Sequence, residues 1–285
     1  MAVSPREGAS IATSLRGRRY VVTGAASGIG QAAVQELKRL GAAVASLDLN
    51  RPTVPVDRHI RTDLADPASI EAAVNELGSG WDGLLNIAGV PEGAAPETVI
   101  AVNFLGLREL TESLLGAFNP GASVVNVSSL ADARWPTRVD EVKAIVATGS
   151  FAEGLNWFRA NPPEGETYNF SKEAVTVYTM KGALAYVSRG IRVNGVRPGL
   201  TRTPLFAEFE QSIGEERAAG LRSLVGRHAD PEDIASVIVF LASPESGWVN
   251  GQLIAVDGGV SAGIAVGDIP LPGPGSPRTH TTTSR

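Results

Sequence analysis

Val21-Val22-Thr23-Gly24-Ala25-Ala26-Ser27-Gly28-Ile29-Gly30 reads as the end of a buried strand, a glycine turn and the start of a helix. The strand is Tyr20–Thr23. The helix, Ile29–Leu40, sets Ile29, Ala33, Leu37 and Leu40 along one side and meets Gly41 as a C-terminal cap. Glycine permits the tight turn and a close backbone approach, and a helix start offers amide N–H groups and a positive dipole end to a pyrophosphate. Gly24, Ser27, Gly28, Ile29 and Gly30 are therefore candidate cofactor contacts. In a chain with 32 glycines the spacing G-x-x-x-G-x-G says little by itself; the strand–turn–helix setting gives it weight.

Outward from this loop, short apolar runs alternate with amphipathic helical ones. Ala43–Leu47, Gly83–Ile87, Ser123–Val127, Ile191–Val196 and Gln252–Val256 read as strands. Asp66-Pro67 and Asp230-Pro231 open helices, with Asp as cap and Pro at the first helical position. Further helices are expected over Val99–Leu115 and Tyr168–Val187. Strands nearly continuous in apolar residues, alternating with helices, indicate an α/β fold: a doubly wound parallel sheet of Rossmann type. One domain is expected over residues 16–262. Residues 1–15 and 263–285 are polar, aperiodic or rich in Pro, Gly, Ser and Thr, and read as flexible tails.

Composition narrows the chemistry. Of 285 residues, 43% are hydrophobic and 19% charged, enough apolar material for a sizeable core. The net charge of −5 argues against a nucleic-acid partner. No cysteine is present, which removes disulfides, thiolate catalysis and Cys-ligated metals, and three scattered histidines make a His-based metal site improbable. No apolar run reaches the length of a membrane span, and the first residues lack the apolar core of a signal peptide. A soluble, cytoplasmic protein is expected.

Asp48 follows the second apolar run, 24 residues after Gly24. A carboxylate there accepts hydrogen bonds from adenosine ribose hydroxyls and repels the extra phosphate of NADP, so NAD is the expected cofactor. Arg51 is near enough to oppose this, and Asp48 could instead simply begin a turn before Asn50 and Pro52. Tyr168 and Lys172 stand four apart at a helix start, hence on one face. Such a pair suits removal of a hydroxyl proton as hydride leaves for a nicotinamide. Tyrosine's ordinary pKa of ~10 is too high for that near neutrality, and a lowering by ~3 units takes about 4 kcal/mol. A nearby ammonium and a positive nicotinamide ring both favour the phenolate. A lone Y-x-x-x-K is more often an ordinary helix pair. Here it is joined by Ser128-Ser129 at a strand end, Asn86–Gly89 at another, and Asn103 in the helix between.

With these residues in order, the chain resembles the short-chain dehydrogenase/reductase family from about Arg19 to Gly259. The matching segments are Thr23–Gly30, the pair Asp63-Leu64, the turn Asn86–Gly89 (including Ala88), and Pro198-Gly199 with Thr201 and Thr203. The resemblance implies that Asp63, Leu64, Asn86, Ala88, Gly89, Pro198, Gly199, Thr201 and Thr203 contact the cofactor. It implies a catalytic set in which Ser129 holds the substrate oxygen and Tyr168 transfers the proton. Lys172 would lower the tyrosine pKa and bind the nicotinamide ribose, and Asn103 would hold a helix irregularity and a water. Ser129 is preferred to Ser128 because the family places its serine just after the strand. Ile87 departs from the pattern, standing where a second Asn is usual.

Ser129 and Tyr168 lie 39 residues apart, far more than is usual in the family, so residues 131–167 form an insertion beside the site. It carries helical patterns at Val139–Ala147 and Phe151–Asn161, together with Trp135 and Trp157. Phe151, Leu155 and Phe158 share a stripe that reads as packing, which leaves Trp157 as the candidate substrate contact. The insertion is either a lid or pocket wall for a hydrophobic substrate, or a structural cover that alters subunit contacts. The resemblance of Asn86–Pro91, Val102–Glu112 and Glu153–Pro162 to one subgroup implies a hydrophobic, aromatic alcohol such as coniferyl alcohol. A 3α-hydroxysteroid or a general ketone is the alternative, and a non-enzymatic cofactor sensor is a remote third. A homodimer or homotetramer is expected.

Overall fold

Tyr20, Val21 and Val22 are fully buried, and they lie in an interior strand of a seven-stranded parallel sheet. The computed structural model describes residues 14–269. The strands are β1 (Arg19–Thr23), β2 (Ala43–Asp48), β3 (Arg58–Arg61), β4 (Trp81–Asn86), β5 (Phe118–Val127), β6 (Arg192–Pro198) and β7 (Leu253–Val256). Their spatial order is β3-β2-β1-β4-β5-β6-β7. Val22 pairs with Ser46 on one side and Leu85 on the other. The order reverses between β1 and β4, and in such sheets the crevice at the carboxyl ends of those strands takes the ligand.

The helices are α1 (Gly28–Arg39), α2 (Pro67–Leu77), α3 (Pro96–Ile100), α4 (Leu107–Ser113), α5 (Val139–Val146), α6 (Phe151–Ala160), α7 (Thr167–Ala185), α8 (Phe206–Ile213), α9 (Glu215–Val225), α10 (Pro231–Ala242) and α11 (Val260–Val266). The expected caps are present: Asp66 accepts from the Ala68 amide at 3.0 Å, and Asp233 reaches back to the Asp230 amide at 2.8 Å. On one sheet face Ala33, Val34 and Leu37 of α1 pack with Ile234, Ile238 and Leu241 of α10. The other face is covered by Ile70, Ala73 and Leu77 of α2 with Leu110 of α4. Each of the Val, Leu and Ile side chains among these contributes about 1.5–3 kcal/mol on full burial.

A third core lies beside the sheet, where α5 and α6 of the insertion pack against α3 and α7 through Ile145, Phe151, Phe158, Phe170 and Val175. Phe151 and Phe158 pack as their stripe suggests. The helix expected over Val99–Leu115 is broken by a π-helical turn, Ala101–Gly106, between α3 and α4. Two features cross the boundaries drawn from sequence. Leu15 is fully buried, with its amide bound to the Leu40 carbonyl at 2.9 Å, and α11 runs past residue 262. The remainder of both expected tails lies outside the described residues. Among those residues no helix is long and apolar enough to cross a bilayer.

Candidate active site

A cleft of about 2440 Å³ opens at the carboxyl ends of the strands and runs from the glycine loop to Tyr168. Its cofactor end is shaped by backbone constraints. Gly24 has φ +66°, and a Cβ there would lie 2.8 Å from the Ala88 backbone. A Cβ on Gly30 would come within 2.0 Å of the Gly24 carbonyl oxygen. Side chains at either position would fill the turn. Ser27 precedes α1 but its side chain does not cap the helix, and Ser27, Gly28 and Ile29 line the cleft. The Thr23 hydroxyl accepts the Ile87 and Ala88 amides at 2.9 and 3.1 Å, which locks the β1 and β4 exits together. This cradle fits a dinucleotide pyrophosphate.

Asp48 ends β2 with its carboxylate fixed: Oδ2 accepts the Ala26 amide at 3.0 Å and Oδ1 accepts the Asn50 amide at 2.9 Å. Asp63, Leu64, Ala88 and Gly89 also face the cleft, as do Pro198, Gly199, Thr201 and Thr203 on the far wall. Asn86 does not. Its side chain is buried, donating to Thr111 Oγ1 at 3.0 Å and Asn126 Oδ1 at 2.9 Å. The amide thus braces β4 against β5 and α4, so the cofactor contact expected of it is corrected to a structural one.

At the other end Tyr168 and Lys172 project from the first turns of α7. Tyr168 and Ser129 both line the cleft, and the Ser129 hydroxyl also accepts the Ala131 amide at 3.2 Å. The Lys172 ammonium donates to the Val127 carbonyl at 3.1 Å and lies 5.6 Å from the centre of the Tyr168 ring. Burial pushes the phenol up to about 12, against the lowering effect of Ser129 and with Asp132 adding to the rise. Burial pulls Lys172 down to about 8, opposed by Asp132. In this state desolvation outweighs the phenolate-favouring pull expected of Lys172. Ser129 lies at the cleft, while the Ser128 hydroxyl is turned inward, 2.9 Å from the Lys172 carbonyl.

Asn103 sits in the π turn, a helix irregularity as expected, and is fully buried. Its side-chain oxygen accepts the Val90 amide at 2.8 Å; its nitrogen donates to Val90 O at 3.0 Å and Ser171 Oγ at 3.1 Å. It thereby ties the loop after β4 to α7. Trp157 is a second correction. It stacks on Phe170 within the third core and is not part of the cleft wall. The insertion reaches the cleft through Ala133, Arg134, Arg138 and Glu164 instead, so it contributes no aromatic wall.

Two features escaped the sequence reading. Phe209 on α8 lies 5.2 Å from the Tyr168 ring, centre to centre, and closes the substrate end. The stripe Leu205, Phe209 and Ile213 after Thr203-Pro204 was the available signal. Glu92, in the loop after β4, accepts the Thr167 and Tyr168 amides at 3.2 and 2.5 Å and so caps the helix that carries the tyrosine. No local spacing announces that contact.

Comparison with known proteins agrees with this arrangement. Residues 24–261 match the family model described as enoyl-(acyl carrier protein) reductase. The chain is 39% identical over 250 residues to the coniferyl-alcohol dehydrogenase of Pseudomonas sp. strain HR199, covering 87% of this chain and 98% of that protein. It is 32% identical over 248 residues to the 3-alpha-hydroxysteroid dehydrogenase/carbonyl reductase of Comamonas testosteroni, covering 85% and 96%. The crystal structure of the 3-alpha-hydroxysteroid dehydrogenase from Pseudomonas sp. B-0831, complexed with NADH, superposes with a TM-score of 0.71 at 28% identity, covering 89% of this chain and all of that one. With the glycine cradle, the reversal of strand order and the Ser129–Tyr168–Lys172 cluster in place, the chain belongs to the short-chain dehydrogenase/reductase family of oxidoreductases.

Proposed function

We propose that this oxidoreductase interconverts a hydrophobic, aromatic alcohol and its carbonyl compound using NAD, with coniferyl alcohol the leading substrate. The observation that carries the reading is that Ser129, Tyr168 and Lys172 line one cleft continuous with the glycine cradle, with the Lys172 ammonium 5.6 Å from the Tyr168 ring centre. Bound NAD would supply the hydride acceptor and a positive ring charge. Gly24, Gly28 and Gly30 admit its pyrophosphate, and Asp48 receives the adenosine ribose.

Ser129 holds the substrate oxygen by hydrogen bond. As the C–H bond breaks with its electron pair, the O–H proton passes to the Tyr168 phenolate, leaving C=O and a neutral phenol. In the reverse direction Tyr168 gives that proton to the carbonyl oxygen. Lys172 places positive charge near the phenol and reaches the nicotinamide ribose. Because burial raises the phenol, alcohol oxidation should accelerate with rising pH. Phe209 offers a flat apolar face to an aromatic substrate. The cleft is also roomy enough for a steroid, so 3α-hydroxysteroids belong in the same assay panel.

The test is Tyr168→Phe. Turnover of aromatic alcohols should vanish while NADH binding, read by nicotinamide fluorescence, stays within a few fold. Turnover close to wild type would overturn the proton-transfer assignment. The ranking of kcat/KM across alcohols and steroids decides the substrate.

A further inference from the structure

Asp132 is fully buried three residues after Ser129. It closes the 3₁₀ turn Leu130–Asp132, and its amide donates to the Ser129 carbonyl at 3.2 Å. Its carboxylate meets the Arg197 guanidinium, with Nε 2.8 Å from Oδ1 and 3.0 Å from Oδ2. The same carboxylate accepts the Thr176 hydroxyl at 2.5 Å and lies 3.2 Å from the Ser128 hydroxyl. Four pieces of chain converge there: the end of β5, the turn behind Ser129, α7 one turn past Lys172, and the end of β6 just before Pro198-Gly199.

Withdrawing the Asp132 carboxylate fully from water costs several kcal/mol, with the half-buried Arg197 guanidinium as its counter-ion, and well-packed apolar residues in place of such a pair are often as stable or more so. The pair therefore needs a use other than stability. Its neighbours supply one. The titratable and charged groups that act on or respond to Asp132 are Arg197 from β6 and Tyr168, Lys172 and Glu173 from α7. Arg138 is engaged by Glu173, so Arg197 is the direct counter-ion. Asp132 in turn acts on both Tyr168 and Lys172, favouring the protonated form of each.

We propose that Asp132, clamped by Arg197, is a positioning residue for the Ser129–Tyr168–Lys172 site; the inference rests on the roles proposed above for those three. Its carboxylate holds the turn that follows Ser129 and fastens that turn to α7 through Thr176. It also places a negative charge behind the Lys172 ammonium.

Asp132→Asn keeps the shape and an acceptor for Thr176 but removes the charge. It should lower kcat about tenfold and move the midpoint of the kcat–pH profile for alcohol oxidation to lower pH, since a charge that raises the phenol is gone. Ultraviolet titration of the cofactor-free protein should move the same way; the Tyr168 contribution is isolated by subtracting the Asp132→Asn/Tyr168→Phe double variant. A role in packing alone would lower kcat at every pH with both midpoints unmoved, and that result overturns the proposal, as does a kcat within twofold of wild type. If Asp132→Asn fails to fold by circular dichroism, Asp132→Ser, which also removes the charge, is read in its place by the same criteria. Tyr168→Phe separates the two failures. Turnover retained there removes the proton-transfer reading, whereas turnover lost there with unmoved Asp132→Asn midpoints removes only the Asp132 proposal.

Discussion

The Trp157 indole lies flat against the Phe170 ring, centres 6.2 Å apart and planes 10° from parallel. Phe170 is itself fully buried, two residues after Tyr168. The insertion thus packs as a cover on the helix that carries Tyr168, and its aromatic residues hold it there. Trp157→Ala should therefore lower thermal stability, by about 2–3 kcal/mol for a half-buried indole, and Phe158→Ala by the ~3–5 kcal/mol of a fully buried aromatic. KM for bulky aromatic alcohols should stay within twofold in both. A selective rise in that KM for Trp157→Ala would restore the lid reading.

The substrate contact we propose instead is on α8. Phe209 is 5.2 Å from the Tyr168 ring, so any substrate whose oxygen reaches Tyr168 passes beside it. Phe209→Ala should raise KM for aromatic alcohols about tenfold, equivalent to ~1.4 kcal/mol, while KM for NAD changes little. An equal effect on a small aliphatic alcohol would mean that Phe209 orders Tyr168 and does not recognise the substrate ring.

The parts legible in the sequence were those written in short-range spacing. The glycine loop, the helix caps at Asp66 and Asp230, and Tyr168 and Lys172 on one helix face all declare themselves within a few residues. β3 did not, because only Ile60 of its four residues is buried, so neither strand alternation nor an apolar run appears. Trp157 shows a different limit. Helical geometry turns it away from Phe158, but that angle cannot reveal that Phe170 of α7 lies on the bearing of Trp157. Asn86, Glu92 and Asp132 belong to a third kind. Each makes its decisive contact with a residue 25 or more positions away, and such pairings exist only once the sheet has assembled.

Cofactor choice should follow Asp48. Its carboxylate is oriented by the Ala26 and Asn50 amides, and each oxygen retains a lone pair for a ribose hydroxyl. NAD should exceed NADP in kcat/KM by at least tenfold, about 1.4 kcal/mol, and Asp48→Ser should narrow or reverse that ratio. The same variant should lose ~1 kcal/mol of stability as the loop amides lose an acceptor. Wild-type preference for NADP would mean that Arg51 reaches the 2′-phosphate and that Asp48 serves only the turn.

Lys172 should make the cofactor-free protein less stable near neutral pH than it could be. Burial lowers its pKa from the ordinary 10.5 to about 8. Below pH 8 the side chain is charged in both the folded and unfolded chain, and folding bears the full cost of burying that charge. Between pH 8 and 10.5 the folded chain has released the proton while the unfolded chain still holds it, so stability rises with pH across that window. Tyr168 acts oppositely at higher pH. Its phenol is raised from 10.0 to about 12, so the unfolded chain ionises first and stability falls from pH 10 to 12. Lys172→Met removes the buried charge but keeps the apolar stem. At pH 7 it should be more stable than wild type by on the order of 2–3 kcal/mol, after allowing for the lost hydrogen bond to Val127. Its advantage should shrink between pH 8 and 10.5, and its turnover should be severely impaired. Urea unfolding of both proteins at pH 7 and pH 10 checks the sign. A Lys172→Met protein less stable than wild type at pH 7 would mean that the Nζ contact with Val127 outweighs the burial cost, and that the site imposes no stability penalty through this lysine.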